Sequence, residues 1–172
     1  MPILPKDRDP RLITVRRGGT LTDAHHRLIA EWSLTCAEHV LHLFEKERPA
    51  DTRPHEAIGV GWAWIRGELR MKDAHQAAFV ANAAARGLID PAKFAALSAG
   101  QAVAVAHVAA HDLGAAAYAI RAAIASSPPD EATVSRIRER DWQRARIPAD
   151  IRELVLDDQR NRNDICWRVF DD

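Results

Sequence analysis

Apolar residues recur at intervals of three and four along most of this chain, and prolines and glycines interrupt the rhythm at regular stations. Between residues 21 and 47, Leu28, Ile29, Trp32, Cys36, Val40, Leu43 and Phe44 fall on one face of a helix. Pro49 ends that run. A second helix is predicted from Pro54, because a proline at the first helical positions lacks only an N–H that would have no partner there. It presents Ile58, Trp62 and Ile65, with Trp64 alongside, and Gly67 is the expected stop. A third helix covers 72–86, with Ala74, Ala77, Ala78, Phe79 and Ala81 as its apolar positions and Gly87 at the place of a C-terminal cap.

Asp90-Pro91 opens the longest predicted helix, 91–125. One stripe reads Gly100, Val103, His107, His111, Gly114 and Tyr118. A glycine inside a helix costs about 1 kcal/mol relative to alanine, so two on one stripe predict a neighbour packed unusually close. The stretch from Phe94 to His111 carries no Asp, Glu, Lys or Arg, which predicts a central position in the fold. Its length would suit a membrane span, but its alanines, Gln101, the two histidines and Asp112 favour a buried core helix. Ser127-Pro128-Pro129-Asp130 is a break and restart. A fifth helix is expected to about residue 144 and a sixth over about 148–158. The apolar alternation Ile165-Cys166-Trp167-Arg168-Val169-Phe170 predicts a short strand or last turn that docks on the core.

Residues 1–20 hold three prolines and Gly18-Gly19 and read as an extended arm, with a short strand around 12–15. The expected architecture is all-α: one helical domain over 21–172, with about six helices around the Ala-rich central helix 91–125. No internal repeat supports a solenoid.

Composition narrows the function classes. The chain has 172 residues, the size of one domain, with 24 basic and 24 acidic residues. A balanced charge argues against a general nucleic-acid or membrane-surface binder, since both need a basic excess. Cys36 and Cys166 are far apart and read as buried thiols of a reducing compartment. The start, MPILPKDRDPR, has no apolar segment of the kind that signals secretion, so a cytoplasmic location is expected.

Catalytic motifs are missing. There is no Gly-rich phosphate loop, no G-x-S-x-G elbow and no paired-cysteine zinc spacing. One constellation carries metal chemistry as an alternative. His107 and His111 stand four apart on the predicted central helix, so both imidazoles would leave one face. His39 or His75 could complete a three-histidine set, with Asp112 orienting a ligand from behind, as in metal-dependent helical-bundle hydrolases. The bland alternative is a pair of core histidines bonded to protein groups, and no cofactor is expected. Cys36 and His39 share a helix face, yet Cys36 lies on the apolar stripe, where a thiol is inert. Trp62 and Trp64 fit either core packing or the wall of a small-molecule pocket.

From Asp130 onward charges of both signs crowd together. The expectation is a solvated face of short-range ion pairs, or a charged partner surface on the fifth helix around Arg136, Arg140, Trp142 and Arg144.

Three segments carry a resemblance. They are Asp23–Trp32 (DAHHRLIAEW) followed by Cys36–Phe44 (CAEHVLHLF); Arg53–Ile58 (RPHEAI) followed by Ala63–Glu68 (AWIRGE); and Ala106–Tyr118 (AHVAAHDLGAAAY). In this order they resemble a bacterial family of immunity proteins similar to immunity protein type 5, over roughly Asp23 to Arg121. The resemblance implies a protein that neutralises a toxin of a polymorphic toxin system by binding it in the cytoplasm. It brings no catalytic residues. The expected partner is thus a protein, a cognate toxin, with no nucleic acid and no membrane. The alternatives are a metal-dependent hydrolase using His107 and His111, and a small-molecule-binding helical protein.

Overall fold

The computed structural model describes residues 4–172, and over them the fold is an all-α bundle. Residues 1–3 of the expected arm lie outside the described residues. The helices are α1 (Asp23–Glu47), α2 (Arg53–Ile65), α3 (Met71–Ala84), α4 (Ala92–Ala104), α5 (Asp112–Ala125), α6 (Ala132–Ala145) and α7 (Ala149–Arg162).

Pro54, Gly67 and Gly87 act where the sequence placed them, and a cap that was not foreseen starts α1. Thr22 caps α1, its hydroxyl accepting from the His25 N–H at 3.2 Å. Pro54 sits in the first turn of α2. Gly67 takes a left-handed conformation at φ +78°, and the Gly67 and Glu68 N–H groups return to the carbonyls of Trp64 and Ala63. That double return needs a positive φ, which glycine adopts without a Cβ clash.

α4 and α5 form the centre. α4 packs against α1, α2, α3 and α5, and α5 packs against α1, α4 and α6. Helix α1 is buried on two sides. Ile29, Trp32, Cys36, Val40 and Phe44 join the main core with α5, Ile151, Val155 and Phe170. Leu34, Ala37 and Leu41 face a second core with Ile58, Ala74, Ala78 and Val103. Each fully buried large side chain contributes about 1.5–3 kcal/mol, so α1 ties both cores together.

Alanine explains how five helices crowd around so little volume. Gly100 of α4 lets α3 approach until a Cβ there would stand 2.3 Å from Asn82 Oδ1. Gly114 of α5 would meet Gln101 Oε1 of α4 at 2.6 Å. The two glycines do mark close approaches, but to two different neighbours.

The central helix is not continuous. α4 ends at Ala104, Val108 is extended at φ −140°, and a single 3₁₀ turn, Ala109–His111, leads into α5. No proline or glycine lies in 105–111. Carbonyls released by the break are taken by distant side chains. His26 Nε2–H donates to the Val105 carbonyl at 2.7 Å, and Arg162 Nη1 donates to the Ala110 carbonyl at 2.7 Å. Tertiary partners therefore override a strong local helix propensity.

One smaller expectation changes and another is narrowed. Phe79 lies one position off the stripe Ala74, Ala78, Ala81 and is 60% exposed instead of packed. The segment after α7 is a 3₁₀ turn, Asp164–Cys166, followed by Trp167 and Arg168 at positive φ, so of the expected strand or last turn it is the turn that forms. Cys166, Val169 and Phe170 are buried, so the segment docks as expected. No helix among the described residues is long and apolar enough to cross a membrane.

Candidate partner-binding surfaces

Arg136, Arg140 and Arg144 recur every four residues and lie on one face of α6. That face turns to the chain's own C-terminal segment. Arg136 donates to the carbonyls of Val169 and Asp171 at 3.1 and 2.6 Å, and Arg140 donates to the Asp171 carbonyl. Arg144 reaches the Phe170 carbonyl at 2.9 Å and Gln159 Oε1 at 2.9 Å. The segment lacks helix or strand partners at these carbonyls, so the guanidinium row supplies the donors. The three arginines expected to face a partner thus hold the fold together, because the last residues return across α6. The charged stretch is also not mainly a set of ion pairs within one helix.

Trp142, the fourth residue of that expected set, stays at the surface of α6. Its ring stacks on His39 of α1 with centroids 3.6 Å apart and planes 4° from parallel. The Arg146 guanidinium lies 3.8 Å from the ring centroid. Both distances are too short for one side of the ring, so Trp142 is sandwiched. Beneath it, His39 Nδ1 lies 2.8 Å from Glu139 Oε2, a carboxylate only 5% exposed. Glu139 also accepts from Gln143 Nε2 at 3.0 Å. A groove of about 400 Å³ runs beside the stack, between α1, the end of α5 and α6.

Of the histidines of the metal alternative, His107 and His75 meet, but no three are brought together. His111 Nδ1–H donates to Gln101 Oε1 at 2.7 Å, and burial pushes its pKa down to about 4. His107 stacks on His75, with centroids 4.2 Å apart, and its Nδ1 lies 3.3 Å from Met71 Sδ. His39 belongs to the Trp142 stack. The break at 105–111 removes the helical register that was to align His107 with His111. Among the described residues no group of three or more His, Cys, Asp or Glu is placed to hold a metal ion. Cys36 is fully buried, and burial drives its thiol well above the ordinary range. Cys36 is thus unsuited to act with His39 as a nucleophile.

Asp112 does have a partner of consequence, though not a histidine. Arg162 Nη2 lies 2.8 Å from Asp112 Oδ1, and Arg162 Nε donates to Asp158 Oδ1 at 2.6 Å. Burial, reinforced by the charge of Asp158, pushes the Asp112 carboxyl upward. The network is buried among protein groups, with Asp112 Oδ2 left without a hydrogen-bond partner, and reads as structural.

A second groove, of about 420 Å³, lies between the N-terminal turns, α2 and the α4–α5 break. Arg8, Arg16, Arg17, His26, Trp64 and His107 line it, with no carboxylate side chain in the lining. Trp64 meets His26 edge-on at 5.1 Å. Trp62 points elsewhere, its Nε1–H donating to Glu38 Oε1 at 2.7 Å. Residues 1–20 read in sequence as an extended arm with a short strand around 12–15; instead Pro10–Leu12 and Val15–Arg17 are 3₁₀ turns, and the groove they wall was not foreseen. The available signal was the set Arg8, Arg11, Arg16 and Arg17 within ten positions.

A comparison with protein families places the chain. Residues 19–150 match the model of the family described as "Imm-5 like putative immunity protein". The chain belongs to that family. The match covers α1 to α6 and the start of α7, and so includes both grooves' helical walls. Family membership makes a protein partner the relevant chemistry. No curated protein and no solved structure matches the chain.

Proposed function

We propose that this protein neutralises a bacterial toxin by binding it stoichiometrically in the cytoplasm, as a non-catalytic inhibitor. The observation that carries this reading is the family match over residues 19–150. The surface chemistry supports it. A sandwiched tryptophan and exposed arginines are the residue types that anchor protein interfaces. Of the set Arg136, Arg140, Trp142 and Arg144, Trp142 with its neighbour Arg146 is the part proposed to touch a partner directly. The three arginines serve by holding α6 in place.

The test is to co-express the chain with the product of the toxin gene beside its own gene. A one-to-one complex on size exclusion, together with rescue of growth, is the expected result. Absence of a complex at micromolar concentrations, with both proteins folded, would overturn the reading.

A further inference from the structure

Most arginine heads in this charge-balanced chain meet a carboxylate, a carbonyl or an aromatic face; among the described residues five exposed ones, Arg8, Arg17, Arg27, Arg86 and Arg138, do not. Of these, Arg8 and Arg17 line the second groove. Arg16, on the same rim, pairs with Asp23 at 2.6 Å where both side chains are exposed. The positive field of this groove is felt by its neighbours: after burial, the charges of His75, Arg17 and Arg8 hold His107 below its ordinary pKa. A field that destabilises a resident cation favours an anionic visitor.

The groove does not end at its basic lining. His107 stacks on His75, and His75 meets Phe79 at 4.9 Å, so a ladder of rings climbs from the groove onto the outer face of α3. Phe79, Val80 and Met71 leave this face apolar and exposed. A monomer gains nothing by exposing a stacked aromatic ladder beside two unpaired arginines, whereas an interface uses both.

We infer that the groove lined by Arg8 and Arg17, with the Phe79–His75–His107 ladder beside it, is the docking face for an acidic segment of a partner protein that also carries an apolar side chain. This assignment rests on the toxin-binding reading above. Charge complementarity selects the acidic segment, the apolar rim suits an apolar side chain beside it, and the family match favours a protein as its source.

The test uses the full chain and the adjacent toxin-gene product, titrated by calorimetry at low and high salt. Arg8→Glu combined with Arg17→Glu weakens binding by at least about tenfold and flattens its salt dependence. Phe79→Ser weakens binding by about tenfold and leaves the salt dependence intact. The control, Arg27→Glu with Arg86→Glu, makes the same change of charge at exposed positions that line neither groove and binds within about threefold of the unaltered chain. All these positions are solvent-facing, and unchanged thermal melts verify folding. If the unaltered chain binds and the groove variants bind equally well, the docking assignment fails alone. If the unaltered chain forms no complex, the toxin reading and the docking assignment fall together. Tight binding of a labelled single-stranded oligonucleotide that depends on Arg8 and Arg17 would overturn the choice of a protein segment.

Discussion

Arg162 holds Asp112 across a separation of 50 residues, its Nη2 2.8 Å from Asp112 Oδ1 in a site closed to solvent. The same guanidinium grips Asp158 and the Ala110 carbonyl. One side chain thus neutralises a buried acid at the start of α5, fixes the 3₁₀ turn before it, and anchors the end of α7. Removing one member of a buried ion pair leaves the others uncompensated. Arg162→Ala is expected to destabilise the protein by about 3–5 kcal/mol in chemical denaturation. Adding Asp112→Asn should restore part of that loss. Strictly additive effects of the two substitutions would show that the pair is not coupled.

The glycines within helices separate into two kinds. Gly59 has open space where a Cβ would be, whereas a Cβ at Gly61 would stand 2.7 Å from Leu34 Cδ2 and one at Gly100 2.3 Å from Asn82 Oδ1. Gly59→Ala is therefore expected to stabilise by up to about 1 kcal/mol, through helix propensity alone. Gly61→Ala and Gly100→Ala should each destabilise, by about 1–3 kcal/mol, as α2 and α3 are pushed from their seats. Thermal melts of the three single variants provide the comparison, and a common sign for all three would contradict the packing described.

His111 gives stability an acid limb. Burial first, then the charge of His107, lowers its pKa from 6.5 to about 4. Between those values the unfolded chain takes up a proton that the folded state refuses. The contribution is whole above pH 6.5 and is lost as pH falls through about 4. With partial exposure allowed for, its size is on the order of 2 kcal/mol. His111→Gln keeps a polar partner for Gln101 and should flatten the decline of stability over this range. Asp112 opposes it. Its raised pKa keeps a proton on the folded state that the unfolded chain has released, so that contribution falls as pH rises above the ordinary carboxylate range. Asp112→Asn should accordingly steepen the acid limb, and an unchanged profile in both variants would sink this account.

The arginine row of α6 makes a separate prediction. Arg140 is buried and donates to the Asp171 carbonyl. Arg140→Ala removes one of the two guanidinium donors at that carbonyl, Arg136 keeping the other, and should cost about 1 kcal/mol. Arg138→Ala, two residues away and exposed, should cost less than about 0.5 kcal/mol. Hydrogen exchange would show the first change loosening residues 163–170 while α1 and α4 keep their protection.

Helix starts and stops were readable because they depend on local chemistry: Pro54, Gly67, Gly87 and the Ser127–Asp130 break act within a few residues of themselves. The apolar stripe of α1 was readable for the same reason, but its second buried face, Leu34, Ala37 and Leu41, was not distinguished from it. The break at 105–111 was illegible, because its cause lies in His26 and Arg162, remote in sequence and adjacent only in the fold. The spacing of Arg136, Arg140 and Arg144 announced a shared face. It gave no sign that the face would turn to the chain's own end. The three-histidine alternative failed through the same break, since it assumed a helical register that α4 and α5 do not share. The basic groove joins residues from the arm, α2, α3 and the break, and no single stretch of sequence contains it.

The interrupted centre has a consequence for synthesis. When residues up to 125 have left the ribosome, α4 and α5 can already pair through their alanines. The Ala110 carbonyl and the Asp112 carboxylate would still await Arg162, which is translated later. The middle of this bundle is finished by the last turn of its final helix, so nascent chains halted before that point should hold a loosened waist that proteases can find.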